Sequence, residues 1–191
     1  MRSLPARACP SRTSRRWAAT SSGRSAISLS TSKPEAIASA EANLRGVGRI
    51  AVIASAAGLL RVDFLAAASP RVPKRGTGAA ARMRDRALRE LAAYSRGGSL
   101  SCPVVIDHLP PFARKVMTVL RRVPRGKTVG YGALAAQAGS PGAARAVGNA
   151  MARNPIPLWV PCHSVLSSNG LGGFSGGLDV KRKLLAMETG P

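Results

Sequence analysis

A proline break at Asn154-Pro155 and a glycine-rich run, Gly172-Gly173-Phe174-Ser175-Gly176-Gly177, bracket the sequence Pro161-Cys162-His163-Ser164-Val165. The helix that reaches Asn154 must stop there, because a residue before proline disfavours the α region. Ile156 to Val160 then reads as an apolar, strand-like run. A cysteine and a histidine therefore stand side by side between a strand and a flexible loop. A thiol becomes a useful nucleophile only as thiolate, and a nearby imidazole with positive surroundings favours that form. Glycine-rich backbone lets a planar or bulky substrate come close. The competing reading is a buried structural cysteine, since free cysteine is among the most buried residue types.

The chain of 191 residues suits one domain or one and a half. Its net charge of +21 is extreme. Residues 108–191 carry eleven Lys/Arg against Asp179 and Glu188 alone, so the excess is not confined to a tail. Such a surface points to nucleic acid first and an anionic membrane second. Seven aromatic residues in all argue against a single-strand binder built on stacking platforms. Cys9, Cys102 and Cys162 lack framework spacing, so no disulfide scaffold is implied. With no CxxC and only His108 and His163, no metal site is expected. A free reactive thiol fits a reducing compartment. No apolar run approaches the ~20 residues of a membrane span.

Residues 1–45 are predicted to be a disordered basic extension, with seven basic residues before the first acid at Glu35. An organelle transit peptide or a start codon read too far upstream fits the same composition. The expected compartment is the bacterial cytoplasm, or an organelle or nucleus if that extension is a targeting segment. Val47 to Ala57 and Gly58 to Leu65 are predicted as a hairpin, and residues 66–79 as a loop. Ala80 to Tyr94 has helical periodicity, with Met83, Ala87, Leu88 and Leu91 on one face and Arg84, Arg86 and Arg89 elsewhere. Cys102 to Ile106 is a further expected strand. These pieces make a small α/β domain over residues 46–107.

From Pro110 the pattern turns helical, with Phe112, Val116, Val119, Leu120 and Val123 at helical spacing. Pro124-Arg125-Gly126 ends that helix. Tyr131 to Ala138 and Ala143 to Arg153 flank a tight turn, Gly139 to Gly142, and form a helix-turn-helix candidate. The second helix carries Ala143, Ala144, Ala146, Gly148 and Ala150. A face of small residues lets a backbone approach another surface closely, either protein or a DNA groove, with Arg145 as the one long projecting side chain.

Five ordered segments, VGYGALA (129–135), AARAVGNAM (143–151), NPIPLWVPCHSV (154–165), GLGGFSGGLDVK (170–181) and LLAMETG (184–190), resemble the methylated-DNA–protein-cysteine methyltransferases. These are also called O6-alkylguanine-DNA alkyltransferases. GRIAVIASAAGLLRVDFL and RALRELAAYSRG fit the family's N-terminal domain more loosely, so the resemblance covers about residues 47–190. It implies a ribonuclease-H-like α/β N-terminal domain and a mostly α C-terminal domain, residues 108–191, with a winged-helix-like helix-turn-helix. The implied activity is DNA repair by stoichiometric transfer of an alkyl group from O6-alkylguanine, or O4-alkylthymine, to the protein's own cysteine. The implied partner is double-stranded DNA holding the lesion, engaged by a monomer without cofactor, metal or membrane.

By the same resemblance Cys162 is the nucleophile, His163 takes its proton through a bound water, and Glu188 orients the histidine. Tyr131 lies near the ring nitrogen of the base, Ser175 and the backbone of Cys162 and Val165 read the guanine edge, and Asn154 is a hinge. Ala143, Ala144 and Gly148 line the helix that enters the minor groove, where Arg145 fills the place of the flipped base. The chain departs from the family pattern at three points. Ser164 stands where arginine is nearly universal, Trp159 where a small aliphatic is usual, and Phe174 where some members have tyrosine. Some members bind a metal in the N-terminal domain, which His108 alone cannot supply.

Three other functions compete. A non-catalytic alkylguanine sensor usually has tryptophan in place of the nucleophile, and Cys162 speaks against it. A helix-turn-helix transcription regulator would need polar base-reading side chains, which helix 143–150 lacks. A cysteine hydrolase would need a separate histidine to pair with a distant nucleophile.

Overall fold

Three strands and a covering helix build the first layer. The computed structural model describes residues 36–190. In it β1 (Ala38–Leu44), β2 (Gly48–Ala54) and β3 (Leu59–Leu65) form an antiparallel sheet in sequence order. The register pairs Ala38 with Ala54 and Leu44 with Gly48, then Arg49 with Leu65. The expected hairpin is thus the second half of a three-stranded meander. β1 lies inside the stretch expected to be an extension, which corrects the 1–45 boundary; residues 1–35 of that stretch lie outside the described residues. The missed signal is the alternation of Ala38, Ala40 and Leu44, whose apolar side chains are buried on one face. Glu41 pins the strand's other face. It accepts from Arg49 Nε and Nη2 at 2.6 and 2.8 Å and from Arg71 Nη1 at 2.8 Å.

Helix α1 (Gly78–Tyr94) packs on this sheet through Ala80, Arg84, Ala87, Leu91 and Tyr94. Arg84 is therefore on the buried face, where the sequence periodicity puts it elsewhere. Its guanidinium is satisfied there by the Arg75 carbonyl and by Asp85, which removes the usual penalty for burying a charge. Met83 and Leu88 are only partly buried. The expected strand at Cys102 to Ile106 is a single parallel bridge between Leu59 and Val104. Pro103 has no N–H, so its carbonyl accepts from Leu59 but the ladder cannot extend.

The second layer is helical. α2 (Pro111–Leu120) starts on proline, which suits the first helical turn, and buries Val116, Met117 and Leu120. β4 (Val129–Gly130) leads directly into α3 (Tyr131–Gln137), and α4 (Ala144–Ala152) follows after the Gly139 to Gly142 turn. Gly139, at φ 72°, ends α3 with its N–H on Ala136, and Ser140 N–H reaches Ala135. Val147, Ala150 and Met151 bury one side of α4. α5 (Leu178–Thr189) closes the chain.

The expected strand Ile156 to Val160 is a turn instead. Val160 N–H bonds back to Ile156 at 3.0 Å, and Leu158 sits at φ 76°, so the segment folds on itself. Val62 N–H reaches the Pro155 carbonyl at 2.8 Å and ties this turn to β3. The two expected domains, 46–107 and 108–191, fall in one compact unit.

Gly76, at φ 90°, lies beside β1, and a Cβ there would meet the Ala38 Cα at 2.6 Å. Gly76→Ala is expected to destabilise the protein by roughly 1–3 kcal/mol, read as a lower urea midpoint with an unchanged slope.

Candidate active site

Cys162 to Ser164 form a single 3-10 turn, and β5 (Val165–Leu166) follows it. β5 pairs in parallel with β4, Val165 opposite Val129 and Gly130 opposite Leu166. That ladder has a direct consequence for the site. The pairing is parallel, so Tyr131, just after β4, falls beside Ser167, just after β5; its ring lies against Gly172 and lines the same cavity as Cys162.

The Cys162 side chain is 3% exposed. Burial pushes its thiol up to about 11, against the opposing pull of the Asn154 amide, backbone N–H groups of Cys162 and His163, and the Lys181 charge. Asn154 Nδ2 lies 3.1 Å from Cys162 Sγ and 2.9 Å from the Val160 carbonyl, while Asn154 Oδ1 accepts from Ile156 N–H at 3.0 Å. One asparagine thus ties the end of α4, the 156–160 turn and the sulfur together.

His163 is fully buried and its Nε2 lies 2.7 Å from Glu188 Oε1. Glu188 also accepts the Tyr94 hydroxyl on Oε1 and the Gly126 N–H on Oε2, the latter at 3.1 Å. Burial alone would raise the Glu188 carboxyl, but the bonds from His163, Tyr94 and Gly126 outweigh it and hold it at about 2. An ionised carboxylate can only accept, so His163 Nε2 carries the proton on that side. Nδ1 is buried and makes no hydrogen bond to the described residues. The pair is thus a buried imidazole held on one side by a fixed carboxylate.

Beside the sulfur is a cavity of about 250 Å³ lined by Tyr131, Gly148, Met151, Ala152, Cys162, Gly173, Phe174 and Ser175. Tyr131 is partly buried, and burial, with the Cys162 sulfur next, raises its phenol. Ser175 is exposed at the rim, Val165 is fully buried behind the turn, and Phe174 stacks edge-on against both His163 and Phe64. Gly148 brings α4 to the cavity with no side chain, and a Cβ there would meet nothing within 4 Å. Arg145 is exposed on the same helix, with Ala143 and Ala144 partly buried at its start. Of the site residues expected from the sequence, Tyr131, Gly148, Cys162 and Ser175 line this cavity, Asn154 bonds the sulfur and Glu188 bonds His163, while Val165 lies behind the turn and Ala143, Ala144 and Arg145 lie on or beside α4 outside the lining; His108 is exposed.

Two elements escape the sequence reading. α5 has a weak apolar pattern, with only Lys181 and Leu184 buried, and yet it delivers Glu188. Lys181 is wholly buried and its ammonium donates to the carbonyls of Val165 at 2.7 Å, Leu171, and Gly173 at 3.3 Å. Desolvation lowers its pKa, partly opposed by the Cys162 sulfur. It fastens the glycine-rich loop to β5 and brings a positive charge to the thiol. The second is the partner of Trp159, noted from the sequence only as a departure: the residue is 3% exposed and its Nε1 donates to Glu90 Oε2 at 2.8 Å.

Fold and site together define a helix-turn-helix protein built around a buried cysteine backed by a histidine–glutamate pair. Residues 111–190 match the family model for the 6-O-methylguanine DNA methyltransferase DNA binding domain. A methylated-DNA–protein-cysteine methyltransferase of Mycolicibacterium paratuberculosis is 45% identical over 104 residues, 53% of this chain and 63% of the relative. One from Salmonella typhimurium is 53% identical over 79 residues, 41% and 46% of the two chains. The chain thus spans about half to three-fifths of the length of these curated relatives. The crystal structure of Mycobacterium tuberculosis OGT in complex with DNA is similar at a TM-score of 0.66 and 31% identity, over 79% of this chain and 92% of that one. The chain belongs to the methylated-DNA–protein-cysteine methyltransferase family.

Two outcomes test the site's construction. Lys181→Met leaves three carbonyls without their donor and should lower stability by about 2 kcal/mol or more in denaturant unfolding. Glu188 has its folded pKa depressed, from 4.5 to about 2. Its contribution is therefore present above about pH 4.5 and is lost as pH falls towards 2. Glu188→Gln should be less stable than wild type at pH 7, with the gap narrowing on acidification; a constant gap would contradict the ionised assignment.

Proposed function

We propose that the protein repairs duplex DNA by transferring an alkyl group from the O6 of guanine, or by the same chemistry the O4 of thymine, to Cys162. The observation that carries this reading is the buried Cys162 lining a partly open cavity, with the adjacent His163 bonded to Glu188. The site's donors and dimensions suit a flat base flipped out of the stack, which is how a protein reaches an atom inside a duplex. No helix among the described residues is long and apolar enough to cross a membrane. We place the protein in the bacterial cytoplasm, as a monomer, where a free thiol stays reduced.

In this mechanism Nδ1 of His163 takes the thiol proton through a water, and Glu188 stabilises the imidazolium that forms. The thiolate attacks the alkyl carbon. A carbon–sulfur bond forms, the carbon–O6 bond breaks, and its electron pair leaves with the guanine. A proton then goes to the base, with Tyr131 beside its ring nitrogen. Ser175 and the backbone of Cys162 and Val165 read the base edge, and Asn154 holds the turn and the sulfur in register. The displacement balances without a further reactant, and the thioether product has no group to cleave it. One molecule accordingly acts once.

Ala143, Ala144 and Gly148 give α4 the slim face needed to enter a minor groove, and Arg145 occupies the gap left by the flipped base. The net charge of +21 supplies attraction to phosphates without sequence preference. On the same reading the β1–β3 sheet with α1 is a reduced ribonuclease-H-like domain, and α3, α4 and the β4–β5 ladder form a winged-helix-like module.

Incubation with duplex DNA holding one O6-methylguanine should add roughly 14 Da to the intact protein, as thiol methylation requires, and nothing to Cys162→Ala. Tight lesion binding with no mass gain would make the protein a sensor. Arg145→Ala should slow transfer and base flipping far more than it weakens overall DNA binding. Equal losses in both would remove the finger role.

A further inference from the structure

Tyr94 and Glu90 lie four residues apart on α1, so they project from one face of that helix, a turn apart. Each reaches across to a different arm of the site. The Tyr94 hydroxyl donates to Glu188 Oε1, the same oxygen that faces His163 Nε2. Its ring is covered by the Arg125 guanidinium, 4.3 Å from the centroid, and Arg125 in turn donates to the Met187 carbonyl at 2.8 Å.

Glu90 holds the other arm. Its carboxylate takes Ser101 N–H at 2.8 Å, Ser101 Oγ at 2.7 Å, Cys102 N–H at 3.0 Å and Arg86 Nε at 3.1 Å, besides Trp159 Nε1. So many donors leave the carboxylate no freedom, and Trp159 is docked on a fixed point. Trp159 follows Leu158, whose φ of 76° is unfavourable for a branched side chain and needs outside support. It precedes Val160, whose carbonyl takes Asn154 Nδ2 and, at 2.7 Å, the Cys162 N–H. The indole thus fixes the turn from which the sulfur hangs.

We infer that α1 is a two-point bracket for the reaction, with Tyr94 a positioning residue for the His163–Glu188 pair and Glu90, through Trp159, a positioning residue for the Cys162 turn. The inference rests on the alkyl-transfer reading for its biological meaning, though not for its geometry. Among the described residues, the charged or titratable groups facing the His163–Glu188 pair and the Cys162 sulfur are Tyr94 from α1, Arg125 from the segment before β4, Tyr131 from α3 and Lys181 from α5, and those facing Glu90 are Arg86 on α1 and Cys102. Of these, Tyr94 donates directly to the Glu188 carboxylate. Without that bond the Glu188–His163 pair binds its proton more tightly, so the acid limb of any rate that uses the pair moves to higher pH.

The test compares wild type, Tyr94→Phe, Trp159→Phe and, as a stability control touching neither hook, Leu88→Ala. Two rates are followed across pH by intact mass with peptide mapping of Cys162. One is methyl transfer from saturating O6-methylguanine duplex, and the other is alkylation by iodoacetamide without DNA. Tyr94→Phe should shift the acid limb of both profiles upward and lose roughly tenfold at pH 6. Trp159→Phe should slow both about fivefold at every pH without moving the limb. The Kd for lesion DNA should stay unchanged in each, and Leu88→Ala should lower Tm but leave both profiles in place. A Tyr94→Phe profile that overlays wild type, or a Leu88→Ala profile that moves as Tyr94→Phe does, overturns the bracket. If wild type takes no methyl group from DNA, the proposed function falls alone, and the iodoacetamide profiles decide the bracket.

Discussion

The carboxylate of Glu188 is the group on which the rest of the structure converges. It is 4% exposed, in surroundings where an unpaired charge would be strongly unfavourable. It is tolerated because three donors reach it from distant parts of the chain: Tyr94 from α1, Gly126 from the segment before β4, and His163 from the cysteine turn. Each donor is itself fixed by its own element. The sheet must carry α1, α2 must end where Gly126 can turn in, and α5 must run its full length for the carboxylate to be satisfied. Packing and catalytic arrangement are one constraint here.

Around Cys162 two opposing effects are held in tension. Burial favours the thiol and keeps it quiet, pushing its pKa to about 11, while the Asn154 amide, the turn's N–H groups and the Lys181 charge favour the thiolate. A sulfur in that balance is poor at ionising alone. The proposed mechanism assigns the base to His163, whose Nε2 is committed to Glu188. Lys181 serves two purposes, since two of the carbonyls that satisfy its ammonium, those of Leu171 and Gly173, belong to the loop forming one wall of the cavity, and the third, that of Val165, belongs to β5.

Ser164 is a neutral residue in the cysteine turn, where the family resemblance leads one to expect an arginine. It is 1% exposed, and its N–H closes the 3-10 turn on Pro161 at 2.9 Å. Trp159, the other departure, packs behind the same turn and is fastened to Glu90 on α1. The loop therefore has a different attachment, made from a neutral N–H and an ionised acceptor on the N-terminal layer. That layer is not a separable appendage: β3 bonds the Pro155 carbonyl, and Phe64 packs on Phe174 at the cavity wall.

Much of the chemistry was legible in local sequence, because proline, glycine and cysteine act through their own backbone and side-chain properties. Asn154-Pro155 had to end a helix, the Gly139 to Gly142 turn had to separate two, and Cys162-His163 had to lie together. Helical periodicity placed α1, α2, α3 and α4 to within a few residues. The sequence misled where a tertiary partner overruled local preference. Ile156 to Val160 is apolar and β-like, but docking Trp159 on Glu90 and Asn154 on Val160 bends it into a turn. Arg84 is charged and yet buried, because Arg75 and Asp85 satisfy it. α5 carries little apolar signal of its own, since what stabilises it is a buried lysine among carbonyls and a carboxylate among donors. Residue identity determined which groups could react; only the packing of α1, the cysteine turn and α5 decided that Tyr94, His163 and Glu188, far apart in the chain, would share one oxygen atom.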